Sequence, residues 1–159
     1  MKKPTDPIAQ LMEEHNDALV QLKLLNKAVE EFRQDGYSVV NARKIYAALE
    51  FIEEEVSVHN RKEEVALFPV LERYVEGPTR IMREDHKKLK KGFVQLSNAI
   101  RAIEKNKDSF SAIKKLSGIS KNVVQLFVNH IHKENYILFP LVQKLLTREE
   151  LREIAKKML

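Results

Sequence analysis

Apolar residues recur at three- and four-residue spacing through four long stretches of the chain. The first opens with Asp6-Pro7, an N-cap followed by a proline at the first helical position. Ile8, Leu11, Met12, Ala18, Leu19, Leu22, Leu25, Val29 and Phe32 follow. This pattern predicts a helix over about 7–34. Asp35-Gly36 suits a left-handed helix ending, and Ser38 can cap a second helix with the stripe Ile45, Leu49, Ile52 and Val56. The stretch "EGPT" at 76–79 breaks the pattern, after which Met82, Leu89, Phe93, Leu96, Ile100 and Ile103 define a third helix, closed by "KNKD" at 105–108. Asp108 or Ser109 can cap a fourth, with Ile113, Leu116, Val123, Phe127, Leu138 and Leu141 inward. Thr147 and Glu150 have capping-box spacing for a short fifth helix. Links this short make neighbouring helices antiparallel, so the expected fold is all-α: an up-down-up-down four-helix bundle with a short C-terminal helix.

Composition agrees. A chain of 159 residues, 43% hydrophobic and 32% charged, with 4 glycines and no tryptophan, suits one helical domain spanning 1–159. The absence of cysteine excludes disulfides, thiolate metal sites and thiol catalysis within the chain. Any metal must then be held by nitrogen and oxygen. No stretch has signal-peptide or membrane-spanning character, so the expectation is a cytoplasmic protein with no membrane partner. The net charge of +5 raises the question of nucleic acid, with "HKKLKKG" at 86–92 as the densest basic run. Its lysines surround Leu89 as the polar flanks of an amphipathic helix, and no nucleic-acid signature accompanies them, so a solvated face is expected.

One phrase is written twice. "KEEVALFPVL" at 62–71 returns as "KENYILFPLV" at 133–142, an offset of 71 residues. At that same offset His15 matches His86, His59 matches His130, and Glu63 matches Glu134. A duplicated helix hairpin accounts for all of these together. Pro69 and Pro140 fall inside otherwise helical patterns, where proline kinks or ends a helix. The fifth histidine, His132, aligns with Arg61 and lies about 200° around its helix from His130, which makes it a surface residue.

A single histidine on an apolar stripe is more often a hydrogen-bonded core residue than a ligand. Four of them accompanied by two carboxylates on core faces are different, because a buried ionised carboxylate is normally paired or metal-bound. Depth agrees: at ~1.5 Å per residue, His15 lies about 29 Å before the end of its helix and His59 about 30 Å into the next. The same count places His86 and His130 at that level. His59-Glu63 and His130-Glu134 are i, i+4 pairs, each sharing one helix face.

His15, "HNRKE" at 59–63, His86 and "HIHKE" at 130–134, with "LFP" after each His-Glu pair, resemble the hemerythrin-like, HHE cation-binding domain over nearly the whole chain. The resemblance implies a four-helix bundle holding a non-haem di-iron centre. His15, His59, His86 and His130 would be terminal ligands, Glu63 and Glu134 bridging carboxylates, and two iron ions would carry a bridging oxo or hydroxo group. It also implies that "LFP" marks where the second and fourth helices bend beyond the metal layer. Imidazole and carboxylate by themselves would also accept zinc or manganese.

Oxygen-carrying hemerythrins have a further histidine one turn along the third helix, where this chain has Lys90. Four histidines, two bridging carboxylates and a bridging oxygen leave each iron five-coordinate, so both would have an open position. Glu55, one turn before His59, could supply a ligand, although its repeat partner is Leu126. The expected function is binding, sensing or scavenging of O₂, NO or peroxide. Iron handling, iron-sulfur cluster repair or oxidase-like catalysis is the alternative, ranked second because related repair proteins usually carry a cysteine-containing N-terminal segment. A metal-stabilised structural or partner-binding bundle is the third. No residue is assigned a catalytic role. The final "TREELREIAKKML" could dock a partner, but capping of the bundle is the simpler expectation.

Overall fold

The computed structural model describes residues 6–159; the leading residues 1–5, part of the stretch read above for the absence of a leader, lie outside the described residues. Five helical stretches, α1 (Pro7–Asp35), α2 (39–71), α3 (Pro78–Lys105), α4 (110–145) and α5 (Arg148–Lys157), form a helical bundle with no strand among the described residues. Their ends follow from local chemistry. Asp6 accepts from the Ile8 N–H, Ser38 from Asn41 and Ser109 from Ala112, while Thr147 and Glu150 make the full capping box. Gly36 ends α1 at φ 84°, and Gly77 precedes α3 at φ 103°, both conformations that a Cβ would strain.

The prolines do not end their helices. Within α2 and α4 the turns Glu63–Leu67 and Glu134–Leu138 are π-helical, and ordinary α-helix resumes at Phe68 and Phe139. A proline in a regular helix removes one backbone bond and crowds the carbonyl four residues earlier. The wider turn just upstream absorbs that misfit, and Pro69 and Pro140 both face outward. The expected bend is therefore a change of helical pitch beginning at each glutamate. A third π turn, Ile52–Val56, has no repeat counterpart in α4.

Along its length α1 packs on α2 and α4, and α3 packs on α4. Gly92 permits the α3–α4 approach, since a Cβ there would lie 2.8 Å from Val123 Cγ2. Apolar layers bracket the middle of the bundle. Leu25, Phe32, Ile45, Leu96, Ile100 and Leu116 fill one end, and Leu22, Ile52, Val56, Leu89, Phe127 and Ile131 the adjoining layer. At the other end Leu11, Leu67, Phe68 and Phe139 are joined by Ile154 and Met158 of α5, so the last helix caps the core. Met12, placed on the first stripe by spacing, is 39% exposed; the inward face of α1 here is Leu11, His15, Ala18 and Leu22. No described helix is long and apolar enough to cross a membrane.

Candidate metal centre

Between those layers lie His15, His59, Glu63, His86, His130 and Glu134, all buried, the two glutamates completely. The structure brings together all six predicted site residues. They form two overlapping groups, His15-His59-Glu63-Glu134 and Glu63-His86-His130-Glu134; within each, one potential ligand atom per residue lies within 4.8 Å of the others. The histidines pair accordingly, with ring centroids 4.7 Å apart for His15 and His59 and 4.9 Å for His86 and His130.

Each glutamate faces one histidine of each pair. Glu63 Oε1 lies 3.4 Å from His59 Nε2 and 3.2 Å from His86 Nε2. Glu134 Oε1 lies 3.0 Å from His130 Nε2 and 3.1 Å from His15 Nε2. Yet His59 Nε2, His86 Nε2, His130 Nε2, both Glu63 oxygens and Glu134 Oε2 have no hydrogen-bond partner. So many unpaired polar atoms converging on one buried point would be costly as plain core, and they match the nitrogen and carboxylate donors that a pair of cations needs.

With no cation to neutralise them, the carboxylates cannot both ionise freely. Burial first, then the neighbouring Glu134 charge, pushes Glu63 well above the usual carboxylate range. Burial would raise Glu134 too, but the close approach of Glu63, His130 and His15 outweighs it and holds Glu134 well below that range. A proton on Glu63 therefore competes with a cation for the shared site.

An outer ring, which the sequence reading missed, orients the imidazoles. His59 Nδ1 donates to Glu14 Oε1 (2.9 Å) and His130 Nδ1 to Asp85 Oδ2 (3.1 Å). His86 Nδ1 donates to Glu64 Oε1 (3.2 Å), and His15 Nδ1 to Asn135 Oδ1 (2.7 Å). Lys62 Nζ and Lys133 Nζ then donate to Glu14 (2.8 Å) and Asp85 (3.0 Å). Burial would raise Glu14, but the hydrogen bonds and charges of His59 and Lys62 lower it to about 2. The signal for these residues was the offset itself: Glu14/Asp85, Lys62/Lys133 and Glu64/Asn135 are all 71 apart.

The repeated "LFP" also acquires a contact. Phe139 stacks on His15 at 5.4 Å between centroids and Phe68 on His86 at 5.9 Å, so each phenylalanine floors one histidine. His132 is exposed and lies against Tyr136, outside both groups. Lys90 is exposed, and with Arg61, Lys87 and Arg101 it lines an open groove between α2 and α3 that reaches His86. Glu55 is exposed too and belongs to neither group. It lines a small cavity that reaches His15, His59 and His130, with about 40 Å³ open to the centres of water-sized molecules.

An all-helical scaffold presenting paired histidines and shared buried carboxylates defines a helical cation-binding domain. The chain belongs to the hemerythrin family, matching the hemerythrin HHE cation binding domain over residues 6–142. It is also 30% identical over 140 aligned residues to the iron-sulfur cluster repair protein YtfE of Yersinia pestis (strain Pestoides F), covering 84% of this chain and 61% of that protein. The same figures hold for the YtfE of Yersinia pseudotuberculosis serotype IB (strain PB1/+). The chain thus spans about three fifths of the length of these curated relatives.

Proposed function

We propose that this is a non-haem di-iron protein that binds, senses or scavenges a small ligand, O₂, NO or peroxide. His15 and His59 would hold one iron, His86 and His130 the other, with Glu63 and Glu134 between them. The scaffold is taken as an up-down-up-down four-helix bundle, in keeping with short connections at 36–38, 72–77 and 106–109. The observation that carries the reading is the sharing of both buried glutamates between the two histidine pairs. When bound, iron supplies electrons and open coordination positions.

The chain's own residues supply the remainder. Nδ1 bonds to Glu14, Glu64, Asp85 and Asn135 fix each ring with Nε2 inward. Apolar layers on both sides limit water. A water-sized molecule needs roughly 10–15 Å³ by the same measure, so the cavity beside His15 and His59 suits a diatomic or peroxide rather than an organic substrate.

Elemental analysis of protein made in iron-replete cells tests the metal, and anaerobic absorption spectra of the reduced protein before and after NO test the ligand. About two irons per chain, matching the two ligand groups, and a spectral change with NO are expected. One tightly held zinc per chain, or a reduced protein indifferent to both NO and O₂, would overturn the proposal. In air, oxidation without clean release of O₂ is expected from two open metals; reversible oxygenation would show that another residue closes one of them.

Service to iron-sulfur clusters is a second reading, favoured by the likeness to repair proteins named YtfE. It is tested by adding the iron-loaded chain to an oxidant-damaged [4Fe–4S] dehydratase and measuring recovered activity. Recovery no greater than with an equal amount of free iron would discard it.

A further inference from the structure

The 71-residue repeat extends into the outer ring, and there it breaks once in charge. His59-Glu14-Lys62 is matched by His130-Asp85-Lys133: a histidine donating to a carboxylate that also accepts from a lysine. The other two histidines should match in the same way. Instead, His86 donates to the carboxylate of Glu64, and His15 to the neutral amide of Asn135, the residue 71 positions after Glu64. Three of the four imidazoles are backed by an anion and one is not.

We propose that this substitution makes the two halves of the centre unequal, so that the His86-His130 half takes a divalent cation first and holds it more tightly than the His15-His59 half. An imidazole whose N–H donates to a carboxylate has more electron density at its other nitrogen and is a stronger ligand; loss of such a partner costs about 10–100-fold in metal affinity. The amide contact is not weak in geometry, for at 2.7 Å it is shorter than the 3.2 Å bond to Glu64. What differs is the charge of the acceptor. Because Glu64 is 38% exposed at its side chain and partly hydrated, the expected difference sits at the low end, roughly tenfold. The glutamates facing the cations are shared by both halves, and each half has one lysine-linked arm. Asn135 and Glu64 are therefore positioning residues that act through His15 and His86. This inference rests on the reading that the centre binds two cations.

Two phenylalanines report the order of filling, since Phe68 stacks on His86 and Phe139 on His15. Co²⁺ is added in fractions of an equivalent to the metal-free chain, and the ring resonances of both phenylalanines are followed by NMR for paramagnetic shifts. Phe68 should respond first and Phe139 as the second equivalent enters. The double variant E64Q/N135D keeps the total charge of the chain and moves the anion to the other half, so it should invert the order. A merely structural role for Asn135 would not do so. The half-site variants H15A/H59A and H86A/H130A, checked for helix content by circular dichroism, should differ roughly tenfold in Co²⁺ affinity, the former binding more tightly. Simultaneous response of both rings, Phe139 responding first in the parent chain, or an order unchanged by the swap would overturn the inference. Failure of the parent chain to bind Co²⁺ at all would instead overturn the reading of the centre.

Discussion

At the scale of single residues, the centre exchanges stability for readiness to bind. Glu63 is held well above the ordinary carboxylate range by burial and by Glu134, so of the two buried carboxylates it is the one whose protonated form is favoured in the metal-free protein. Glu63→Gln nearly reproduces that protonated form. It should change the melting behaviour of the metal-free protein by less than about 1 kcal/mol while reducing iron content severely, and thermal unfolding with elemental analysis checks both. His132→Ala should leave iron content unchanged, because that ring lies on the surface; equal loss in the two variants would show that the ligand face of α4 is misassigned. Glu14 carries a pH dependence of definite sign. Its carboxyl ionises near 2 in the folded metal-free chain against 4.5 for an unperturbed glutamate. Its contribution is fully present above about 4.5 and is lost as pH falls towards 2. Glu14→Gln should flatten that acid limb of a stability-against-pH curve, by an amount on the order of 2 kcal/mol. An acid limb as steep as the parent's would show that Glu14 is not the group responsible.

At the scale of elements, two helical glycines should respond to alanine with opposite signs. Gly118 on α4 is exposed, with nothing within 4 Å of the position a Cβ would take. Alanine there should stabilise by about 0.5–1 kcal/mol through helix propensity alone. Gly92 on α3 has the same propensity gain available, but its Cβ would meet Val123 Cγ2 at 2.8 Å. Valine is stiff about χ1 and this one is buried, so the helices must part or the side chain must leave its rotamer. Gly92→Ala should therefore destabilise by about 1–2 kcal/mol, with partial recovery in G92A/V123A; denaturant unfolding of the three variants gives the sign directly. The π turns belong to this scale as well. By widening the helix at Glu63 and Glu134 they let each proline sit outward and the phenylalanine just before it reach a histidine on another helix.

For the whole molecule, the buried unpaired atoms at its centre would couple the stability of the fold to the binding of a cation. A cation bound only by the folded chain adds about 2.7 kcal/mol at a hundred times its dissociation constant, and two sites add twice that. At roughly 2–4 °C per kcal/mol for a domain of this size, chelation should lower the melting temperature by about 10 °C or more, reversed on adding back metal. Calorimetry with and without a chelator measures it, and an unchanged melting temperature would mean that the centre holds no stabilising ion. The apolar layers on both sides of the centre, with α5 closing the nearer end, explain why the helical frame should persist when the metal is gone.

Periodicity and caps determined the helices, because a 3.6-residue apolar stripe and the hydrogen-bonding needs of helix ends are local matters: Asp6, Ser38, Ser109 and the Thr147-Glu150 box act where their spacing says they should. The 71-residue repeat went further, because duplicated hairpins bring equivalent residues to one level, and by itself it singled out the six inward side chains. Met12 fell on the wrong side, since a stripe two residues wide does not say which edge faces the neighbouring helices. The π turns, the stacking of Phe68 and Phe139, and the outer ring of Glu14, Glu64, Asp85 and Asn135 were decided only in three dimensions. A helix pattern tolerates one wide turn without losing its period. A polar residue beside a ligand reads as solvent-facing until a second helix places an imidazole nitrogen within hydrogen-bonding distance of it.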